Sequence, residues 1–269
     1  MNSARLEHLR RIARLGGLAR VRAHGNPGTA EGRKKGGINS LVTHTRQHTS
    51  FSTLRKVTSP RQSENLAELM GILMGDGHRS TYQISVTTNS ETDMEHARFV
   101  QKLLSKMFVL PVSRTNRKKQ KAVVILASSR RASSILKRLG MPEGNKMNAG
   151  MVIPQWVKKR QLYARAFIRG LFDTDGCVYL DRHRYGDKVY FHMGWTITSA
   201  AGTFIVDIEQ ALRDLGFSPT RSKTQQSVYL RRQAEIVRYF EDIGTHNPKH
   251  RKRYRQFRRE IVGRVPKRS

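Results

Sequence analysis

The chain is short of cysteine, of acidic residues and of long apolar runs, and each shortage excludes something. Cys177 is the only cysteine in 269 residues, so no internal disulfide forms. With no cysteine pairs and ten histidines scattered along the chain, a structural zinc site is not expected either. No run of about eighteen apolar residues is present and the N-terminus lacks the apolar core of a secretion signal. The expectation is therefore no membrane partner, and a place in the cytoplasm or an organellar matrix. Acidic side chains number 20 against 51 Lys plus Arg, a formal charge of +31 and a pI near 11.3. Solubility requires no such excess. A surface this basic points to a polyanion, above all to the phosphate backbone of nucleic acid, bound through release of counterions.

What is present divides by charge. Residues 1–62 carry thirteen basic and two acidic side chains, residues 63–244 twenty-eight and seventeen, and residues 245–269 ten and one. With 37% hydrophobic residues overall, the middle is the part that builds a core. Residues 1–62 read as a basic, glycine-rich extension. A short basic helix spans Arg5 to Arg14. After it come Gly16-Gly17, His24-Gly25-Asn26-Pro27-Gly28 and Gly32-Arg33-Lys34-Lys35-Gly36-Gly37. That composition buries too little apolar surface to fold alone and suits a mobile arm along DNA. Residues 251–269 read as a basic tail.

The middle repeats itself, once over residues 63–158 and again over 159–250. Each copy opens with a helix ending in Asp-Gly: Leu66 to Gly77 and Arg165 to Gly176. The β-favouring runs Tyr82 to Thr87 and Val189 to Thr198 follow. Amphipathic helices come next, from Thr92 to Phe108, where Thr92 and Glu95 have capping-box spacing, and from Thr203 to Leu215. Further strands, Ala122 to Ala127 and Ser227 to Leu230, precede short helices, Ala132 to Leu139 and Ala234 to Ile243, that close on Gly140 and Gly244. The fold class predicted is α+β, with the order αββαββα twice, and Tyr185-Gly186-Asp187 reads as a hairpin turn.

Small residues recur every four positions on both motif helices, Ala67, Gly71 and Gly75 on the first and Ala166, Gly170 and Thr174 on the second. Two such stripes allow the backbones to approach closely. Packed side by side in the same direction, the helices bring Asp76 and Asp175, 99 residues apart in sequence, to adjacent C-termini. There the helix dipoles disfavour an anion. A lone Asp-Gly is a common helix-ending turn, but two copies sharing offset, stripe and downstream order point to a divalent cation held by both carboxylates. Hydrolysis of a phosphodiester is the chemistry such a site performs.

The runs Leu69-Met70-Gly71-Ile72-Leu73-Met74-Gly75-Asp76-Gly77 and Ile168-Arg169-Gly170-Leu171-Phe172-Asp173-Thr174-Asp175-Gly176 resemble the two motifs of the single-chain LAGLIDADG homing endonucleases. Val152-Ile153-Pro154-Gln155-Trp156-Val157 and Gly144-Asn145-Lys146 also resemble members from archaeal introns and inteins. The likeness covers about residues 63 to 255. It implies two pseudo-symmetric halves forming a saddle of antiparallel sheets, with the motif helices at the centre. It further implies Mg²⁺, with Mn²⁺ substituting, held by Asp76, Asp175 and the carbonyls of Gly75 and Thr174. The activity implied is sequence-specific cleavage of double-stranded DNA by a monomer, at a long pseudo-palindromic site.

Strands that enter a major groove read base edges through alternate side chains. Tyr82, Gln83, Ser85, Arg182, Arg184, Lys188, Tyr190, His192, Arg221, Lys223 and Gln225 are the candidates for that face. The family also places a basic group near the scissile phosphates, for which Lys119, Lys121, Lys223 and Arg231 are candidates. Lys146 and Lys249 are candidates for the DNA backbone. Two alternatives share the fold: an intron RNA maturase, whose partner is RNA, and a DNA-binding regulator without catalysis. The termini, Met1-Asn2-Ser3 and Lys267-Arg268-Ser269, lack splice-site residues and read against an intein.

Overall fold

The glycine-rich N-terminal stretch is more helical than its composition predicts. The computed structural model describes residues 3–26, 28–47, 57–117, 120–144 and 150–264. Contacts divide the chain into two units, Met1–Arg55 and Lys56–Ser269. In the first unit, helix α1 (Ser3–His24) runs straight through Gly16-Gly17, well beyond the expected end at Arg14. Glycine costs a helix about 1 kcal/mol per position, and the Ala, Arg and Leu around this pair offset it. Gly25, at φ 80°, turns the chain, and Thr29 caps α2 (Ala30–Arg46) by accepting from the Gly32 N–H at 3.0 Å. The apolar side chains Leu9, Ile12, Leu15 and Leu18 of α1 are each about half exposed, so among the described residues these helices enclose no core of their own.

In the second unit the repeat is plain. The first half consists of α3 (Glu64–Gly75), β1 (Gly77–Arg79), β2 (Gln83–Asn89), α4 (Met94–Phe108), β3 (Ser113–Arg117), β4 (Ala122–Ser128) and α5 (Arg130–Arg138). After a short helix α6 (Gln155–Lys158), the second half follows with α7 (Gln161–Asp175), β5 (Gly176–Tyr185), β6 (Lys188–Thr198), α8 (Gly202–Asp214), β7 (Thr220–Arg221), β8 (Ser227–Leu230) and α9 (Gln233–Asp242). Each half carries a four-stranded antiparallel sheet in the order β1-β2-β4-β3 or β5-β6-β8-β7. The fold is α+β, as the repeat predicts.

Alternation sorts the sheet faces. Ile84, Val86, Val123, Ile125 and Ala127 of the first sheet, and Val178, Met193, Trp195, Ile197, Val228 and Leu230 of the second, are buried. Against them pack α4 and α8 through Val100, Leu104 and Phe108, and through Phe204, Ile208 and Leu212. The capping box expected at Thr92 does not form. The N-cap of α4 is Asp93, whose carboxylate makes no cap bond and instead accepts from Asn247 at 2.9 Å and pairs with Lys249 at 2.8 Å. Of the residues read as a basic tail, 251–264 belong to a helix, α10 (Pro248–Arg264), and the rest lie outside the described residues. It docks through apolar groups spaced along one side: Tyr254 stacks on Phe240 with centroids 4.0 Å apart, and Phe257 and Ile261 lie against the core.

Candidate active site

Close approach of α3 and α7 explains their glycines. A methyl group on Gly71 would stand 2.1 Å from the Phe167 carbonyl oxygen, and one on Gly170 would stand 2.2 Å from the Glu68 carbonyl oxygen. No side chain fits in that space, so the two backbones touch and the stripes read from the sequence do meet. At the C-terminal end the same contact recurs, with the position of a methyl on Gly75 2.0 Å from Thr174 Oγ1 and 3.3 Å from Asp175 Oδ2. The Asp175 carboxylate thus lies against the residue that precedes Asp76. Both aspartates are half-buried at the ends of parallel helices, where each helix gives way to the first strand of its sheet. Thr174 Oγ1 donates to the Leu171 carbonyl at 2.9 Å, so its hydroxyl is taken up within the helix.

Beside the helix pair runs a network of polar groups that spacing alone does not reveal. Glu68 of α3, 1% exposed, accepts from Arg169 of α7 at 2.7 Å and bonds to His246 Nδ1. Its burial opposes ionisation, but the bonds from His246 and Arg169 outweigh that and hold its carboxyl below the usual range. Asp173 accepts from the Thr245 hydroxyl and from the His246 N–H at 2.9 Å, while Asn247 donates to its carbonyl at 3.0 Å. Burial pushes the Asp173 carboxyl up to about 7. Burial likewise pushes His96 down to about 4 and His250, packed on the Phe172 ring, down to about 3.

The sequence-derived groove residues divide into two sets. Gln83 and Ser85 alternate with buried Ile84 and Val86, so they lie on the outer face of the first sheet, and Tyr82 is 58% exposed in the adjoining turn. Lys188, Tyr190 and His192 oppose Tyr185, His183 and Asp181 in the β5–β6 ladder and share the outer face of the second sheet with them. Arg182 and Arg184 do not. They oppose Phe191 and Val189, in line with Val178 and Trp195, and so belong to the core-side face where the hairpin extends past the helices. Arg221 is also displaced from the expected face: it opposes buried Val228 and is paired with Glu209 of α8. Lys223 and Gln225 are exposed in the β7–β8 turn, with Gln225 at φ 56°.

The basic candidates fare unevenly. Lys121 forms an exposed pair with Glu91 at 3.1 Å. Lys249 is engaged with buried Asp93, which makes it a fastening of α10 to α4 rather than an open phosphate contact. Arg231 lies over the Tyr229 ring at 4.7 Å. Lys119 and Lys146 fall outside the described residues. Sequence reasoning missed Tyr179, His183, Tyr185 and Tyr229 on the second outer face, and His78, Thr87 and Thr115 on the first. The strand alternation that reveals them was already present in the sequence.

Residues 162–244 match the family model of a LAGLIDADG-like domain, and residues 67–147 match that of a WhiA LAGLIDADG-like domain. A tRNA-splicing ligase RtcB of Methanopyrus kandleri is 27% identical over 177 residues, which is 58% of this chain but 17% of the ligase. The full-length DUF199/WhiA structure from Thermatoga maritima is 17% identical with a TM-score of 0.49, over 78% of this chain and 64% of that one. The meganuclease I-SmaMI, bound to uncleaveable DNA, is 11% identical with a TM-score of 0.51, covering 76% of this chain and 93% of that chain. It was also solved on uncleaved DNA in the presence of calcium ions.

Proposed function

Because this chain is a LAGLIDADG protein with two motifs, one in each half, we propose that it is a sequence-specific double-strand DNA endonuclease that hydrolyses phosphodiesters with divalent cations at Asp76 and Asp175. The observation that supports this reading is the contact of Asp175 with Gly75, the residue before Asp76, where the two motif helices end in backbone contact and both aspartates are half-buried. The donors there are carboxylate and carbonyl oxygens, including those of Gly75 and Thr174, a set suited to a hard ion such as Mg²⁺, with Mn²⁺ in its place. When bound, the ions supply a water of lowered pKa and charge to offset the developing alkoxide.

The remaining work belongs to the protein. Gly71 and Gly170 let the two helix backbones touch, which draws together the ends that carry Asp76 and Asp175. The outer face of each sheet supplies the base-reading side chains, Gln83 and Ser85 in the first half and Lys188, Tyr190 and His192 in the second. Because those faces differ, the preferred site is asymmetric within a loosely palindromic frame, and one chain suffices for both half-sites. Residues 1–62 and 251–269 extend the phosphate contact through their basic side chains.

The test is cleavage of a library of random duplexes with Mg²⁺. Asp76→Asn and Asp175→Asn are each expected to lower the cleavage rate by at least about 10³-fold, about 4 kcal/mol of barrier, with DNA affinity kept within a few-fold. Cutting by the double variant at the wild-type rate would refute the assignment. A second reading, DNA binding without cleavage, is favoured by one observation, the match of the first half to a WhiA LAGLIDADG-like domain. Selection of one duplex from the library by a wild-type protein that leaves it uncut would establish that reading.

A further inference from the structure

Four side chains far apart in sequence converge between α3, α4, α7 and the link from α9 to α10. Glu68, Asp173 and His246 each offer a ligand atom, and those atoms lie within 4.8 Å of one another. His96 reaches the same place from α4: its Nε2 is 3.8 Å from Asp173 Oδ2, too long for a hydrogen bond. Among the described residues that nitrogen has no hydrogen-bond partner, although His96 is only 1% exposed.

Charge shows what is lacking. Arg169 balances Glu68 by holding its Oε2. Among the described residues, the carboxylate of Asp173, 2% exposed, is hydrogen-bonded only by neutral groups, the Thr245 hydroxyl and the His246 N–H. A cation beside a carboxylate so placed offsets the cost of burying its charge. The nearby imidazole nitrogen is costly to bury unbonded. A cation bound at this point satisfies both groups at once.

We propose that Glu68, His96, Asp173 and His246 form a second divalent-cation site, separate from Asp76 and Asp175 and selective for ions of the zinc class. Two imidazoles and two carboxylates are a borderline ligand set that favours Zn²⁺ or Co²⁺ over Mg²⁺. Metal–ligand bonds of about 2.1 Å give a tetrahedral edge of about 3.4 Å, so the His96–Asp173 spacing needs to close only slightly. Glu68 Oε1 and His246 Nδ1 are hydrogen-bonded to each other in this structure and pass to the ion when the ring turns. The His246 side chain, 41% exposed, has room to do so and gives the ion its entry from solvent. The site joins elements of the first half, α3 and α4, to α7 and the α9–α10 link, so the ion acts as a fastening between halves. The absence of cysteine pairs, which argued against zinc, does not bear on a site built from histidine and carboxylate.

The experiment uses the full chain, stripped with chelator and titrated with Co²⁺ as a spectroscopic probe. One equivalent is expected to bind with a tetrahedral visible spectrum, to be displaced by Zn²⁺ but not by Mg²⁺, and to persist in the Asp76→Asn/Asp175→Asn double variant. His246→Ala, at a half-exposed position, is expected to weaken Co²⁺ more than about tenfold, since loss of an outer partner alone costs that much. His96→Gln is expected to abolish the tetrahedral spectrum, and where it fails to fold His246→Ala decides. The proposal is overturned if the wild type binds no Co²⁺ that the double aspartate variant keeps, or if His246→Ala binds as tightly as wild type. Neither outcome touches the reading of Asp76 and Asp175 as a cleavage site.

Discussion

The two halves of the larger unit share a backbone plan and differ in where they are polar. At the 99-residue offset Met70 and Met74 of α3, both buried, stand where α7 has Arg169 and Asp173. The first motif helix is therefore almost wholly apolar, while the second uses those two positions to hold Glu68 and the link into α10. The sheets diverge as well. β1 has 3 residues and β5 has 10, and the long second hairpin carries aromatic and imidazole side chains where the first sheet shows small polar ones. Backbone contact demands the same small residues from both helices, so there the repeat is kept. Where contact places no such demand, the halves have been free to acquire separate tasks.

That contrast is tested most severely at the glycines. Gly71→Ala and Gly170→Ala are each expected to destabilise the fold by about 3 kcal/mol, because the added methyl meets a carbonyl oxygen that cannot retreat without parting the helices. The gain in helix propensity, about 1 kcal/mol, is too small to compensate. Denaturant midpoints of the two variants should agree closely, since the obstructing distances are 2.1 and 2.2 Å. A variant much milder than its counterpart would show that the helix contact is symmetric in sequence only.

How much of this was legible follows from the range of each interaction. The helix stripes and the paired aspartates are visible because a period of four and a fixed offset are properties of sequence itself. Gln83 and Ser85 share a face because they alternate with buried Ile84 and Val86. Arg182 and Arg184 fall on the opposite face from Lys188, Tyr190 and His192, because the turn pairs Tyr185 with Lys188 and so sets the even-numbered residues of β5 against the odd-numbered ones of β6. The two residues of β7 are too few to display alternation, so the pairing of Arg221 with Glu209 was hidden. Glu68 and His246 lie 178 residues apart, and no local pattern announces their bond.

Helix α10 packs on the sheet of the second half and is pinned to the first half through Lys249 and Asp93, and acid should expose that asymmetry. His250 of α10 is 1% exposed, and burial, helped by neighbouring Lys249 and Arg253 and opposed by Asp93, lowers it from 6.5 to about 3. The unfolded chain takes up this proton below about pH 6.5 and the folded chain does not, so stability is full above 6.5 and is lost as pH falls. Between pH 6.5 and 5 the loss is about 2 kcal/mol from this group. His250→Phe, which keeps a ring against Phe172, is expected to flatten the fall in Tm over that interval, leaving the part due to His96. An unchanged slope would remove His250 from the acid response.

The smallest effect is expected on the outer faces, where it concerns choice of sequence more than strength of binding. Tyr190 opposes His183 on the second hairpin and is 44% exposed, a position from which a side chain reaches a base edge. Tyr190→Ala should cost about 1 kcal/mol of discrimination at one or two base pairs of a single half-site, near the lower end for a direct contact. Gln83→Ala should relax the other half-site and leave the first untouched. Both are read from the sequences that each variant selects from a random duplex library. Because the two faces share no side-chain pattern, the effects should not exchange places. If either variant altered both half-sites together, the halves would be coupled through the helix pair, and the division of labour between them would have to be drawn elsewhere.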